Sequence, residues 1–184
     1  MTLCKSLITM LFTLGLSLPS HLVAATDNSA PDPELGRIQR QLFFDVSPSL
    51  LNLKPNAEHP EVFGVAMDWP VKDNIATVIS FSEGTASVYL NTGFMIAGGY
   101  AAARSAKAFV REAERSLKLA APSTGTPYPA KDKVRFYIRT FNGVRVIEDD
   151  MEKLQSRRSQ HNALFSAAHQ VMGELFNAAK KAPK

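Results

Sequence analysis

From Asn91 to Lys118 the chain reads NTGFMIAGGYAAARSAKAFVREAERSLK. An apolar lead-in, a glycine pair and an amphipathic helix follow one another, as they do in a phosphate-binding loop. Such a loop needs a lysine to reach the phosphates and a hydroxyl to hold magnesium. Gly93 and Gly98 have the glycine spacing, but Gly99 stands where the lysine should be and Tyr100 where the hydroxyl should be. Nucleotide chemistry is therefore not expected. Two readings of Gly98 and Gly99 remain open. Free N–H groups at the helix start, with Arg104 on its first turns, would hold a small anion or a carboxylate. Alternatively, the glycines only let the chain turn sharply and pack against a sheet.

His161 and His169 lie eight residues apart in one apparent helix, a rise of ~12 Å, too far for one metal ion. The run Glu148-Asp149-Asp150 lacks the alternating oxygen spacing of a calcium loop. Asp149, with Glu152 three residues on, has the spacing of a capping box instead. No G-x-S-x-G occurs, and Ser82-Glu83-Gly84 and Ser123-Thr124-Gly125 read as turn chemistry. The single cysteine, Cys4, lies near the start, so no disulfide or thiolate site is expected. No metal and no cofactor are expected from these residues.

Arg104, Lys107, Arg111, Arg115 and Lys118 line one helix face, with Glu112 and Glu114 among them. A solvated face with local ion pairs is the ordinary outcome. Combined with Arg135, Tyr137 and Arg139 of a later strand, the face would dock an acidic protein segment or anionic envelope material.

The elements that must position these residues start after a targeting segment. Lys5, an apolar run over residues 7–18, the break at Pro19-Ser20 and Val23-Ala24-Ala25 compose a secretory signal peptide over residues 1–25. The apolar run is shorter than the ~20 residues of a membrane span. Cleavage would leave Thr26 first and, with Lys5 gone, a formal charge of +3 instead of +4. That mild surplus names no partner, and an exported protein rarely meets nucleic acid. No membrane association is expected after cleavage, and the address is the periplasm or the medium. Residues 26–31 are polar and read as flexible. Residues 32–179 suit one domain that buries its own core, and residues 180–184 form a solvated tail.

Asp32 and Pro33 predict a helix start, followed by a stripe of Leu35, Ile38, Leu42 and Val46. Leu50, Leu51 and Leu53 are expected to anchor the next connection. Three strands follow, over 62–69, 75–81 and 86–91. The first alternates Phe63, Val65, Met67 and Trp69 on one face. The helix after Gly99 buries Ala102, Ala106, Phe109, Val110, Ala113 and Leu117. Residues 120–133 form a proline-containing loop long enough to suggest a function. Asn142-Gly143 predicts a two-residue hairpin turn with positive φ at both positions. Ile138 would then face Ile147, with Phe136 on the same side. A last helix is expected from about Ser159 to Ala179.

The order α-β-β-β-α-β-β-α predicts an α+β domain with an antiparallel sheet of about five strands and three packed helices. In element order it resembles the roadblock, longin and profilin-like sandwiches. VFGVAMDWP, NTGFMIAGG, SAKAFVREAE and KVRFYIRTFNGV are similar to motifs of a family of short uncharacterised bacterial proteins, a resemblance that implies one compact domain and no chemistry. The functional expectation is a non-catalytic interaction or ligand-binding domain of the bacterial envelope. The alternative is a small hydrolase or other enzyme with a site under the 120–133 loop. A histidine buried beside a carboxylate in a pocket would favour the enzyme.

Overall fold

A computed structural model describes residues 32–93 and 95–181. The signal-peptide reading, the polar segment after it and the last three residues lie outside the described residues. Four α-helices pack on one antiparallel sheet: α1 (Pro33–Asp45), α2 (Ala103–Ser116), α3 (Met151–Gln155) and α4 (Asn162–Lys181). The strands are β1 (Val62–Val71), β2 (Asn74–Phe81), β3 (Ala86–Leu90), β4 (Met95–Gly99), β5 (Ala121–Pro122), β6 (Lys133–Thr140) and β7 (Gly143–Asp150). Their spatial order is β4-β3-β2-β1-β6-β7-β5.

The sheet thus has seven strands instead of about five. The two additions are those that periodicity misses. β4 is a glycine-rich segment that reads as a turn, yet Gly98 pairs with Ser87 and Gly99 with Ala86. β5 is two residues long, and only its pairing with Arg145 and Val146 makes it a strand. The added helix α3 spans a single turn and a half, too short for a periodic signal.

The main core lies between one sheet face and α2 with α4. Ala106, Phe109, Val110 and Ala113 of α2 meet Val65, Met67, Val78, Phe136 and Ile138, all within a few per cent of full burial. Each of the larger side chains contributes about 1.5–3 kcal/mol by leaving water. Strand β1 carries a bulge between Val62 and Gly64. Val62 and Val65 therefore both face this core, and Phe63 leaves the face expected for it. Phe63 instead stacks at 5.5 Å on Phe141, because a bulge inserts one residue and breaks the two-residue alternation.

The opposite face holds a smaller core of Phe43, Ala66, Ile79 and Tyr137, covered by α1. Asp32 caps α1 as expected, its carboxylate accepting the N–H groups of Glu34 and Leu35 at 3.0 and 3.2 Å. The buried stripe differs from the expected one. Gly36, Arg40 and Phe43 face the sheet, while Leu35 and Ile38 stay 37% and 36% exposed. Leu50, expected as an anchor, is 58% exposed. Two contacts set the rotation of the helix. A Cβ on Gly36 would stand 2.4 Å from the Asn91 carbonyl oxygen, so only glycine permits this approach. Arg40 finds Asp68 on β1.

The β6–β7 hairpin turns one residue earlier than expected. Thr140 pairs with Gly143, so Phe141 and Asn142 form the turn. Gly143 has φ of +135°, and Asn142 is not among the residues with positive φ. Phe136, and not Ile138, faces Ile147. Both registers keep the core side unchanged, since the shift moves each pair by a full two-residue period. Tertiary contacts select the observed one: the Phe141 N–H donates to the Glu61 carbonyl at 3.0 Å, and its ring packs on Phe63.

Candidate functional site

Arg135, Tyr137 and Arg139 project from β6 toward the α1 side, on the face opposite α2. The combined surface expected from them and the α2 arginines does not form, because the sheet lies between the two groups. Tyr137 is fully buried and Arg139 is 8% exposed. Arg139 donates to the carbonyls of Phe43, Phe44 and Val46, which closes the C-terminal end of α1 with a cation. Burial lowers the guanidinium's pKa. The Tyr137 hydroxyl donates to the Pro127 carbonyl at 2.5 Å, and Arg135 donates to the same carbonyl at 3.1 Å. Arg135 also pairs with Glu148.

Gly98 and Gly99 lie in an edge strand, not in a loop that opens α2. Gly99 has φ of +111°, and a Cβ there would meet nothing within 4 Å. The close packing expected of it is absent, and its backbone angle alone calls for glycine. Arg104 is exposed on the first turn of α2, and Ala102 caps that helix with no side-chain bond. On the same helix, Glu114 turns away from the basic face to accept the N–H of Val62 at 2.8 Å.

The 120–133 loop covers a buried ion pair that the sequence reading did not single out. Arg40 donates from Nε and Nη2 to Asp68 at 3.1 and 2.6 Å. Its Nη1 donates to the Thr126 carbonyl at 2.6 Å. The Thr77 hydroxyl adds a third donor to Asp68 at 2.7 Å. The rings of Phe44, Tyr128 and Tyr137 lie 4.9, 4.3 and 5.3 Å from the guanidinium carbon. Burial pushes the Asp68 carboxyl up, against the Arg40 and Thr77 hydrogen bonds. Burial also works against the charge of Arg40, but bonding to Asp68 outweighs it and raises the pKa. Each of the three guanidinium nitrogens donates inside the fold, so the group clamps α1 and the loop to β1. One signal in the sequence was available: Asp68 interrupts the apolar run VFGVAMDW on the face it shares with Ala66, opposite Val65 and Met67.

A cleft of about 330 Å³ opens elsewhere, where the end of β7 meets α3 and the turn into α4. Glu148 and Asp149 give its lining acidic side chains, and Lys153 and Arg158 give it basic ones. Ser159, Gln160 and His161 complete it. The local sequence explains the shape. α3 ends after Gln155, and Arg157 takes φ of +59°, which reverses the chain. Ser159 then anchors the turn: its hydroxyl donates to Asp149 and accepts the His161 N–H at 2.8 Å. Asp149 therefore ties this turn down and also accepts the Asp150 N–H at 2.7 Å. The cap of α3 falls on Asp150, without a side-chain bond, so the capping box expected at Asp149 is not formed.

Two residues of the cleft, Asp149 and His161, are incompletely partnered, as is Asn162 beside it. Asp149 has no cation within ion-pair distance among the described residues. His161 is 7% exposed, and its Nδ1 is buried without a hydrogen bond, as is Asn162 Oδ1. Burial lowers the His161 pKa, and the charge of Asp149 opposes that. His169 stays away: its ring packs on Phe165 and Trp69 at 4.1 and 4.7 Å. The rest of the acidic run is paired. Asp150 meets Lys133 and Lys153, whose bonds hold its pKa at about 2. Among the described residues no group of three His, Cys, Asp or Glu is placed to hold a metal ion, and no helix is long and apolar enough to cross a membrane.

No protein-family model, curated protein or solved structure matches this chain significantly.

Proposed function

We propose that this is an exported bacterial envelope protein, periplasmic or secreted after loss of residues 1–25, that acts as a non-catalytic ligand-binding or interaction domain. Its partner is an anionic or mixed-charge envelope component. The export reading rests on the N-terminal sequence pattern. Relationship to the short bacterial family and to the roadblock-like sandwiches rests on motifs and element order.

The observation that carries the binding reading is the cleft at Asp149. It combines acidic and basic side chains with a carboxylate that no described cation pairs at ion-pair distance. Its one hydroxyl is not set up as a nucleophile. Ser159 gives its proton to Asp149 and takes a backbone N–H, so no histidine base addresses it. A thermal-shift screen of the mature protein against small charged and polar molecules tests this. The expected result is ligand-dependent stabilisation that Asp149→Asn removes, with no turnover of chromogenic ester or peptide substrates.

A second reading has one observation in its favour. His161 is buried beside a carboxylate in a cleft, with its pKa lowered by burial, so a neutral imidazole is available as a base at pH 7. A hydrolase would then work at this cleft and not under the 120–133 loop, which covers Arg40. Turnover that His161→Ala abolishes while the fold survives would replace the first reading with this one.

A further inference from the structure

We propose that the cleft between β7 and α3 binds a small zwitterion carrying a primary ammonium and a carboxylate, such as a free amino acid or the ends of a short peptide. This rests on the binding reading above and names its ligand class. The geometry supplies each half of the recognition. Asp149 is half-buried and has no described cation within ion-pair distance. Each of its oxygens accepts one hydrogen bond, from the Asp150 N–H and from the Ser159 hydroxyl, which leaves a lone pair on each. An ammonium group brings three donors and one positive charge, and so satisfies both the charge and the lone pairs.

Two residues of the lining are cationic. Arg158 spends Nε on Ser156 and Nη2 on Glu152, and its Nη1 keeps two donors. Its pairing with Glu152 is a surface contact, with the two side chains 64% and 86% exposed. Such a pair is worth little, so a ligand carboxylate competes for the guanidinium at small cost. Lys153 is the other, sharing Asp150 with Lys133, and retains donors of its own. The acidic and basic side chains come from different elements, the end of β7 and the α3 turn. A simple anion or a simple cation would satisfy only one of the two. The cleft, about 330 Å³, is open to solvent, so a small ligand there keeps part of its surface in water. His161 lines the site, and its unpartnered Nδ1 is itself buried from solvent.

The probes are glycylglycine, its N-acetyl form, which lacks the ammonium, and its C-terminal amide, which lacks the carboxylate. Each is titrated into ¹⁵N-labelled mature protein and followed by amide chemical shifts. Glycylglycine is expected to move the signals of Asp149, Lys153, Ser159 and His161, and loss of either charge should weaken binding by about tenfold or more. Variants separate recognition from folding. Arg158→Gln, on the exposed rim, should weaken glycylglycine and leave the amide form unchanged. Asp149→Asn should weaken glycylglycine and leave the acetyl form unchanged. Equal affinity for the three peptides, or no shift around the cleft, overturns the zwitterion assignment. Cleft shifts with acetate or glucose alone would overturn it while the binding reading stands. Hydrolysis of glycylglycine would overturn the binding reading itself.

Discussion

Asp68 is fully buried and Arg40 is 7% exposed, so each is tolerated only because of the other. Removing one partner leaves an uncompensated charge, at a cost of about 3–5 kcal/mol. Asp68→Ala and Arg40→Met should each lower stability by that order, and the double variant Arg40→Met with Asp68→Leu should recover much of the loss. Chemical denaturation of the three variants measures the coupling directly. A second residue-scale effect is pH dependence. His59 is 2% exposed, with neither ring nitrogen hydrogen-bonded. Burial lowers its pKa below 6.5, and the charges of Glu58, Glu114, Arg111 and Lys107 modify that in both directions. A histidine held neutral in the fold takes up its proton more readily when unfolded, so stability must fall as pH drops below about 6.5. His161, also lowered, acts in the same direction. The melting temperature should be flat from pH 7 to 8 and decline between pH 6.5 and 5, and His59→Leu should flatten part of that decline. Of these residues only His161 was weighed for chemistry in the sequence, because burial of a charged side chain is a property of the assembled layers.

At the scale of elements, the glycines separate two physical roles. Gly36 allows α1 to touch the β3–β4 turn, where an added Cβ would lie 2.4 Å from the Asn91 carbonyl oxygen. Gly36→Ala should cost about 1–3 kcal/mol by forcing the helix outward. Gly99→Ala should cost about 1 kcal/mol or slightly more, from the strained φ of +111° alone, since the space beside it is empty. Gly173 lies inside α4 with nothing within 4 Å of an added Cβ and no positive φ. Gly173→Ala should therefore stabilise by about 0.5–1 kcal/mol. Thermal melts of the three variants should rank Gly36→Ala lowest and Gly173→Ala above the parent. The sequence pattern located α1, α2, α4 and the strands β1, β2, β3, β6 and β7, because each runs for at least five residues with one clear period. It missed β4, a glycine-rich strand that reads as a turn, α3, too short for a periodic signal, and β5, a two-residue strand made by its pairing with Arg145 and Val146.

At the scale of the whole molecule, helices cover both faces of the sheet, and the connection at 120–133 crosses to seal the α1 side through Thr126 and Pro127. Export is a prediction of the whole chain as well. The protein recovered from periplasm or medium should begin at or near Thr26 by N-terminal sequencing, and intact Met1 in a membrane fraction would refute it. The residues alone determined the α+β class, the antiparallel order and the apolar faces of α2 and α4. Those follow from local periodicity and from turn chemistry, which act over a few neighbouring residues. They also determined the absence of a phosphate-loop lysine at Gly99. Only the tertiary structure decided which side of α1 faces inward, where Arg40 and Gly36 displaced the apolar stripe of Leu35 and Ile38. It also fixed the hairpin register, through Phe141 on Phe63, and separated Arg139 from the α2 arginines by the thickness of the sheet. The cleft belongs to the same class of outcome. Asp149, Arg158 and His161 meet there because a short helix and a residue with positive φ fold the chain back, and packing of α3 against β7 and the Ser159–Asp149 hydrogen bond hold that turn in place.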